Sequence, residues 1–297
     1  MAPGRHPITA ILLVVLCLLP TRSSIRAADV DGGALRIRSV SSRLLASPFD
    51  VAVDKNGVVF LLESGSRTIS IFSRRGEFLR EIPGKGAWKD PSAITIGPSG
   101  SIFLADGVAG KVFELDLSGK TRRVYAAGGN ARLTGVSVYG DAVYCVDNRN
   151  HRIVVFRKPG ATPEVWGNLG AAPGQFHSPF RIAIDPSGRL FVTDVMNARV
   201  QWFSAFGKHL GTLKRFGAGE GKIFRPTGIA LDLRGRIWVG DSYTGLVQLF
   251  DERGEFAKAL RAKGRPVVFG DPVGLAVATN GIWVADQREN SMGLFRE

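Results

Sequence analysis

Short apolar runs recur along the chain in a fixed order. A β-branched or aliphatic run is followed by a polar turn, a second apolar run ending on an acid, and a third run ending on a large apolar residue. Six segments share this order, opening at Pro48, Pro91, Leu133, Pro179, Pro226 and Pro272, 42 to 47 residues apart. Runs of three to six apolar residues bounded by turns read as strands, and the turns between the first two runs carry glycine in all six segments, as in Lys55-Asn56-Gly57 and Pro186-Ser187-Gly188. The acid closing the second run is Glu63, Asp106, Asp147, Asp194, Asp241 or Asp286. Three residues before it stands an aromatic (Phe60, Phe103, Tyr144, Phe191, Trp238, Trp283) and nine after it a large apolar residue (Phe72, Leu115, Phe156, Phe203, Phe250, Phe295). A fourth strand follows in five segments.

Four strands repeated at this period predict an all-β, six-bladed β-propeller of four-stranded antiparallel blades. A single blade cannot bury both of its apolar faces, so blades stack around an axis with the aromatic column between them. Blade six ends two residues after Phe295 and lacks an outer strand, whereas residues 35–40 precede blade one with a strand-like pattern. Pairing of those residues with blade six would close the ring and cover its edge.

The blades resemble the NHL repeat. Pro179-Phe-Arg-Ile-Ala-Ile-Asp185, Val192-Thr-Asp194-Val-Met-Asn197-Ala-Arg199 and Asp147-Asn-Arg-Asn150-His-Arg152 carry the likeness, with Gly174-Gln175-Phe176-His177-Ser178-Pro179 similar to the linker that precedes such a blade. The resemblance covers residues 29–297. It implies the propeller fold and a range of roles: protein- or RNA-binding module, cell-surface domain, or relative of lyases and lactonases. Fold alone does not choose among them.

The first 28 residues read as a secretory signal: Arg5 and His6, an apolar stretch at residues 8–19, Pro20, then small residues at Ala27 and Ala28. The expected location is therefore periplasmic or extracellular, or membrane-anchored if the signal is retained. No later stretch is apolar enough to span a bilayer as a helix. Removing Arg5, Arg22 and Arg26 leaves 36 Lys and Arg against 26 Asp and Glu, a formal +10. That surplus favours a protein or an anionic polysaccharide of the cell envelope as partner, and export argues against nucleic acid. Cys145 is then the one thiol, inside an apolar strand, and is expected to be buried and inert.

Candidate site residues fall on the face that collects the loops entering the inner strands and those joining strands two and three. The glycine two residues after the opening proline becomes Asp50 in blade one and Arg181 in blade four, placing an acid and a base on opposed blades. Lys111, Arg152 and Arg199 stand five residues after their strand-ending acids, with Arg149 nearby, and would form a basic arc suited to carboxylate, sulfate or phosphate. The plainer alternative for the arc is an arginine bridge to the neighbouring blade, and for Asp50 and Arg181 an ion pair. The six strand-ending acids are expected to satisfy backbone donors.

Propeller lyases in this resemblance use a histidine set to hold metal, and the lactonases an acid–Asn–Asp set. Here only His151 and His177 fall on the loop-rich face, His209 being expected on the other. No cofactor is expected. Zinc or calcium belongs to the alternative of a metal-assisted lyase or hydrolase at the channel mouth. The main expectation is a non-enzymatic binding propeller.

Overall fold

The computed structural model describes residues 28–31, 34–40 and 43–296. Residues 1–27 of the expected export signal lie outside them. Among the described residues no helix is long and apolar enough to cross a membrane.

The expected strands form. Blade one comprises Pro48–Val53, Val59–Glu63, Thr68–Phe72 and Phe78–Pro83, hydrogen-bonded in chain order. The same order builds four further four-stranded sheets on the inner strands Pro91–Ile96, Leu133–Tyr139, Pro179–Ile184 and Pro226–Leu231. Blade six contributes Pro272–Ala278, Gly281–Asp286 and Ser291–Phe295. The chain is a six-bladed β-propeller.

Strand Ala34–Ile37 closes the ring, pairing antiparallel with the last strand from Ala34↔Phe295 to Ile37↔Met292. Two details differ from expectation. Ser39–Val40 does not join this pairing but forms a small hairpin with Arg43–Leu44. Ala28–Asp31 adds a further strand outside Ala34–Ile37, so blade six has five strands.

The register repeats from blade to blade. The residue four before each strand-ending acid pairs with the large apolar residue nine after it: Val59↔Phe72, Ile102↔Leu115, Val143↔Phe156, Leu190↔Phe203, Ile237↔Phe250 and Ile282↔Phe295. Six apolar clusters result, one in each gap between blades. In the gap between blades one and two, Phe60, Leu62 and Ile71 meet Ile94, Ile102 and Leu115. Between blades five and six, Trp238 and Leu249 meet Leu275, Ile282 and Phe295. Each such side chain contributes roughly 1.5–3 kcal/mol by leaving water. The turn between strands three and four also seals these gaps. Gly119 (φ +88°) sits so close to Ile82 of the preceding blade that a Cβ would lie 2.3 Å from its Cγ2.

One irregularity positions the site. In all six blades the pairing of strands one and two shifts register beside the opening residue. The bulge leaves Phe49, Ser92, Thr134, Phe180, Thr227 and Val273 out of the ladder at the inner end of each blade. Such bulges re-aim backbone groups, here toward the axis.

Candidate functional site

Arg181 occupies the middle of the ring. Its guanidinium donates to the carbonyl of Val273 in blade six (3.0 Å), Ser92 in blade two (2.6 Å), Phe49 in blade one (2.5 Å) and Thr134 in blade three. All four acceptors are bulge residues. The Arg181 backbone N–H donates to Thr193 Oγ1 (2.9 Å). The Phe49 and Phe180 rings meet edge to face (centroids 6.1 Å) and lie 5.0 and 4.9 Å from the guanidinium carbon, close enough for cation–π attraction. Asp50 Oδ2 is 3.8 Å from Arg181 and accepts the Ile94 N–H of blade two (2.9 Å). Both side chains are buried. Burial pushes the Asp50 carboxyl up, against the pull of Arg181, and the Arg181 guanidinium down, against Asp50 and Asp271. The ion pair and the ring of carbonyl dipoles keep the guanidinium charged. Asp50 and Arg181 therefore form an axial plug where an opposed pair at the channel mouth was expected.

Beside this plug, toward blades one to three, lies a cavity of about 260 Å³ walled by Phe49 and Phe180. Arg132, Thr134, Asn148, Asp90 and Gln287 bring polar groups to it. Arg132 is exposed, and its guanidinium has no ion pair among the described residues. Thr134 Oγ1 is buried with no hydrogen-bond partner among them. Asn148 donates to the Pro179 carbonyl (2.9 Å), tying blade three to blade four at the cavity edge. The candidate site residues of the sequence did not include Arg132, Asn148 and Gln287, because each belongs to a different loop. The signal for Arg132 was available: it is a cation directly before an opening position that all other blades give to proline.

The expected basic arc divides. Arg152 and Arg199 face the acid of their own blade across the hairpin and bind it, Arg152 to Asp147 at 2.9 Å and Arg199 to Asp194 at 2.7 Å. Arg199 also donates to the carbonyls of Ala171, Ala172 and Gln175 in the loop entering its blade. Arg199 thus ties blade four to its own entry loop directly, and Arg152 does so only through Asp147, which accepts the Arg132 N–H (3.0 Å), where a bridge to the neighbouring blade was expected. Lys111 and Arg149 are exposed.

The strand-ending acids do what their repetition implied. Asp241 accepts the N–H groups of Phe224 (2.7 Å), Arg225 (2.9 Å), Tyr243 (3.0 Å) and Thr244 (3.0 Å). Asp106, Asp286 and Asp194 receive the equivalent entry-loop N–H groups. Glu63 accepts from the Ala46 N–H and is clasped by Arg43 at 2.7 and 2.9 Å. All six acids are buried.

His151 and His177 meet edge to face with centroids 5.7 Å apart. His151 Nδ1 accepts the Ser178 N–H (3.0 Å), leaving Nε2 to carry the proton of the neutral ring. Among the described residues no three His, Cys, Asp or Glu side chains gather into a metal-holding group. His209 packs instead on Phe203 and binds Thr212.

No family model matches the chain. The Arabidopsis thaliana protein SUPPRESSOR OF QUENCHING 1, chloroplastic, is 24% identical over 222 residues, which is 60% of this chain and 21% of that protein. The chain thus spans about a fifth of that relative's length. Among solved structures, a streptogramin B lyase superposes with a TM-score of 0.66 at 13% identity, covering 88% of this chain and 96% of that one. A gluconolactonase from Xanthomonas campestris gives 0.65 at 12% identity, covering 93% of each. At such identities the shared property is the fold, and the fold is that of a β-propeller.

Proposed function

We propose that this chain is an exported NHL-type propeller that binds an anionic ligand, an acidic polysaccharide of the cell envelope, on its loop-rich face without transforming it. The observation that carries the reading is the axial cavity. It sets the unpaired Arg132 guanidinium, the Asn148 amide and the Thr134 hydroxyl around one small volume, beside Phe49 and Ser92, whose carbonyls hold Arg181. A guanidinium and neutral donors suit a carboxylate, while Asp90 in the same wall suits a sugar hydroxyl. Lys111 and Arg149 add positive charge on the same face, with Arg152 and Arg199 holding the loops that shape it. A volume of about 260 Å³ suits one sugar unit of a longer chain.

Titration with galacturonic acid oligomers at low and moderate salt tests this. Binding that weakens with salt is expected, together with about a tenfold loss in Arg132→Ser, about 1.4 kcal/mol. Equal binding by wild type and Arg132→Ser would remove the cavity from the account. Capture of an envelope protein, with no response to the oligomers, would make the partner a protein.

The second reading, a metal-assisted lyase or hydrolase, draws on the facing His151 and His177 rings. Stoichiometric zinc or calcium in purified protein, lost on chelation together with a lytic activity, would put it first.

A further inference from the structure

Blade five differs from blade four at three equivalent loop positions. Where blade four has Leu169, His177 and Met196, blade five has Phe216, Phe224 and Tyr243. Leu169↔Phe176 and Phe216↔Ile223 are matching isolated bridges, so the loops correspond in structure as well as in sequence. The three rings form one pile: Phe216 and Phe224 are 5.4 Å apart at 31°, Phe224 and Tyr243 4.1 Å apart at 26°. Phe224 is the middle ring and half-buried, whereas Phe216 and Tyr243 are 65% and 62% exposed. Single exposed apolar residues are ordinary, but a pile assembled from separate loops with both ends open is a preformed stacking surface.

Polar groups of a particular kind adjoin it. The Ser242 N–H donates to the Arg225 carbonyl (3.0 Å), holding Arg225 beside Tyr243. The positive charges of Arg288 and Arg225 act on Asp271 against the effect of its burial. Asp271 Oδ1 is buried with no hydrogen-bond partner among the described residues. Thr227 Oγ1, two residues beyond Arg225 in a side chain 7% exposed, also lacks one. The Asp271 carboxylate oxygen lacks a donor and the exposed Arg225 guanidinium has no ion pair among the described residues, so the two together match a group that both donates and accepts. A sugar hydroxyl is such a group, and the C–H face of a pyranose is the apolar surface that covers an aromatic ring.

We infer that the loop-rich face carries a second site, a pyranose platform at blade five, in which the Tyr243 face stacks a neutral sugar ring while Asp271 and Arg225 take its hydroxyls. The site lies across the face from the axial cavity and does not depend on the function proposed for that cavity.

Cellohexaose, a neutral β-linked glucose oligomer, is the probe. Its affinity is measured by calorimetry, and its contact by saturation transfer from protein aromatic protons to sugar C–H groups. Wild type is expected to bind with transfer to the ring C–H groups. Tyr243→Ala should lose at least tenfold in affinity and Tyr243→Phe little, while Asp271→Asn weakens binding by replacing the charged acceptor with a neutral amide oxygen. Arg132→Ser should leave cellohexaose binding unchanged, which separates this site from the axial cavity. An unaltered melting temperature in Tyr243→Ala, a change at an exposed position, shows that the loss is local. The inference is overturned if cellohexaose does not bind, if Tyr243→Ala binds it as wild type does, or if an oligonucleotide alone occupies the platform.

Discussion

Asp50 and Arg181 belong to opposed blades, 131 residues apart in the chain, yet their side chains meet 3.8 Å apart on the propeller axis. The guanidinium hydrogens reach carbonyls in blades one, two, three and six, so one side chain links five of the six blades.

Arg181→Ala is expected to destabilise the fold by about 3–5 kcal/mol, because it leaves a buried carboxylate and four inward carbonyls without a partner. Asp50→Asn should cost less, since the carbonyl ring still surrounds the cation. Urea denaturation of the two single variants and the double variant measures both the order and the coupling. Equal small losses would show that the plug is dispensable.

Asp271 makes stability depend on pH in a defined sense. Burial lifts its carboxyl above the ordinary value, against the pull of Arg288 and Arg225 and with help from Asp286. The native state therefore holds this proton more tightly than the unfolded chain does. The corresponding stability is present below the unfolded value, about 3.9, and is lost as pH rises through the raised native value. Asp271→Asn should thus raise the melting temperature at about pH 7 and leave it unchanged at about pH 3. The same substitution weakens the proposed sugar contact, setting stability against binding.

Asp241→Ala removes the acceptor for four backbone N–H groups and should cost about 3 kcal/mol or more. Chelator should not change the melting temperature of wild type if these acids only organise loops. Calorimetry with and without EDTA checks this.

Ile37 is buried in the cluster between blades six and one, on the strand that closes the ring. Ile37→Asp should destabilise by more than about 4 kcal/mol, a core charge without a partner. Hydrogen exchange should then rise first in Ser291–Phe295, the strand it exposes. Uniform loss of protection in all blades would show that closure and folding are one event.

Burial pushes the Cys145 thiol far above its ordinary value, with the Asp147 charge adding to the effect. The native protein should therefore leave a disulfide reagent unreacted at neutral pH, and labelling at this residue should appear only with unfolding.

Much of this architecture was legible from spacing. The acid, the aromatic three before it and the apolar residue nine after it recur because each strand pair needs the same register, and a repeated need leaves a repeated residue. The structural role of Asp241 and its equivalents was legible for the same reason. The fates of Arg152 and Arg199 were less so. Their offset from the acid was visible, but the cross-strand pairing that turns the offset into an ion pair with the same blade is a matter of register.

The sequence by itself determined the strands, their turns, the number of blades and the segment that closes the ring, because these follow from local periodicity and from glycines where φ must be positive. Tertiary structure alone decided which groups share a site. Arg181 could be seen replacing a glycine, but its four carbonyl partners exist only because a bulge in each blade turns one backbone group inward. Arg132, Asn148 and Gln287 share a cavity, and Phe216, Phe224 and Tyr243 share a pile, only once six blades have closed into a ring. Closure brings together loops that the chain keeps far apart, and no local pattern records which loops those are.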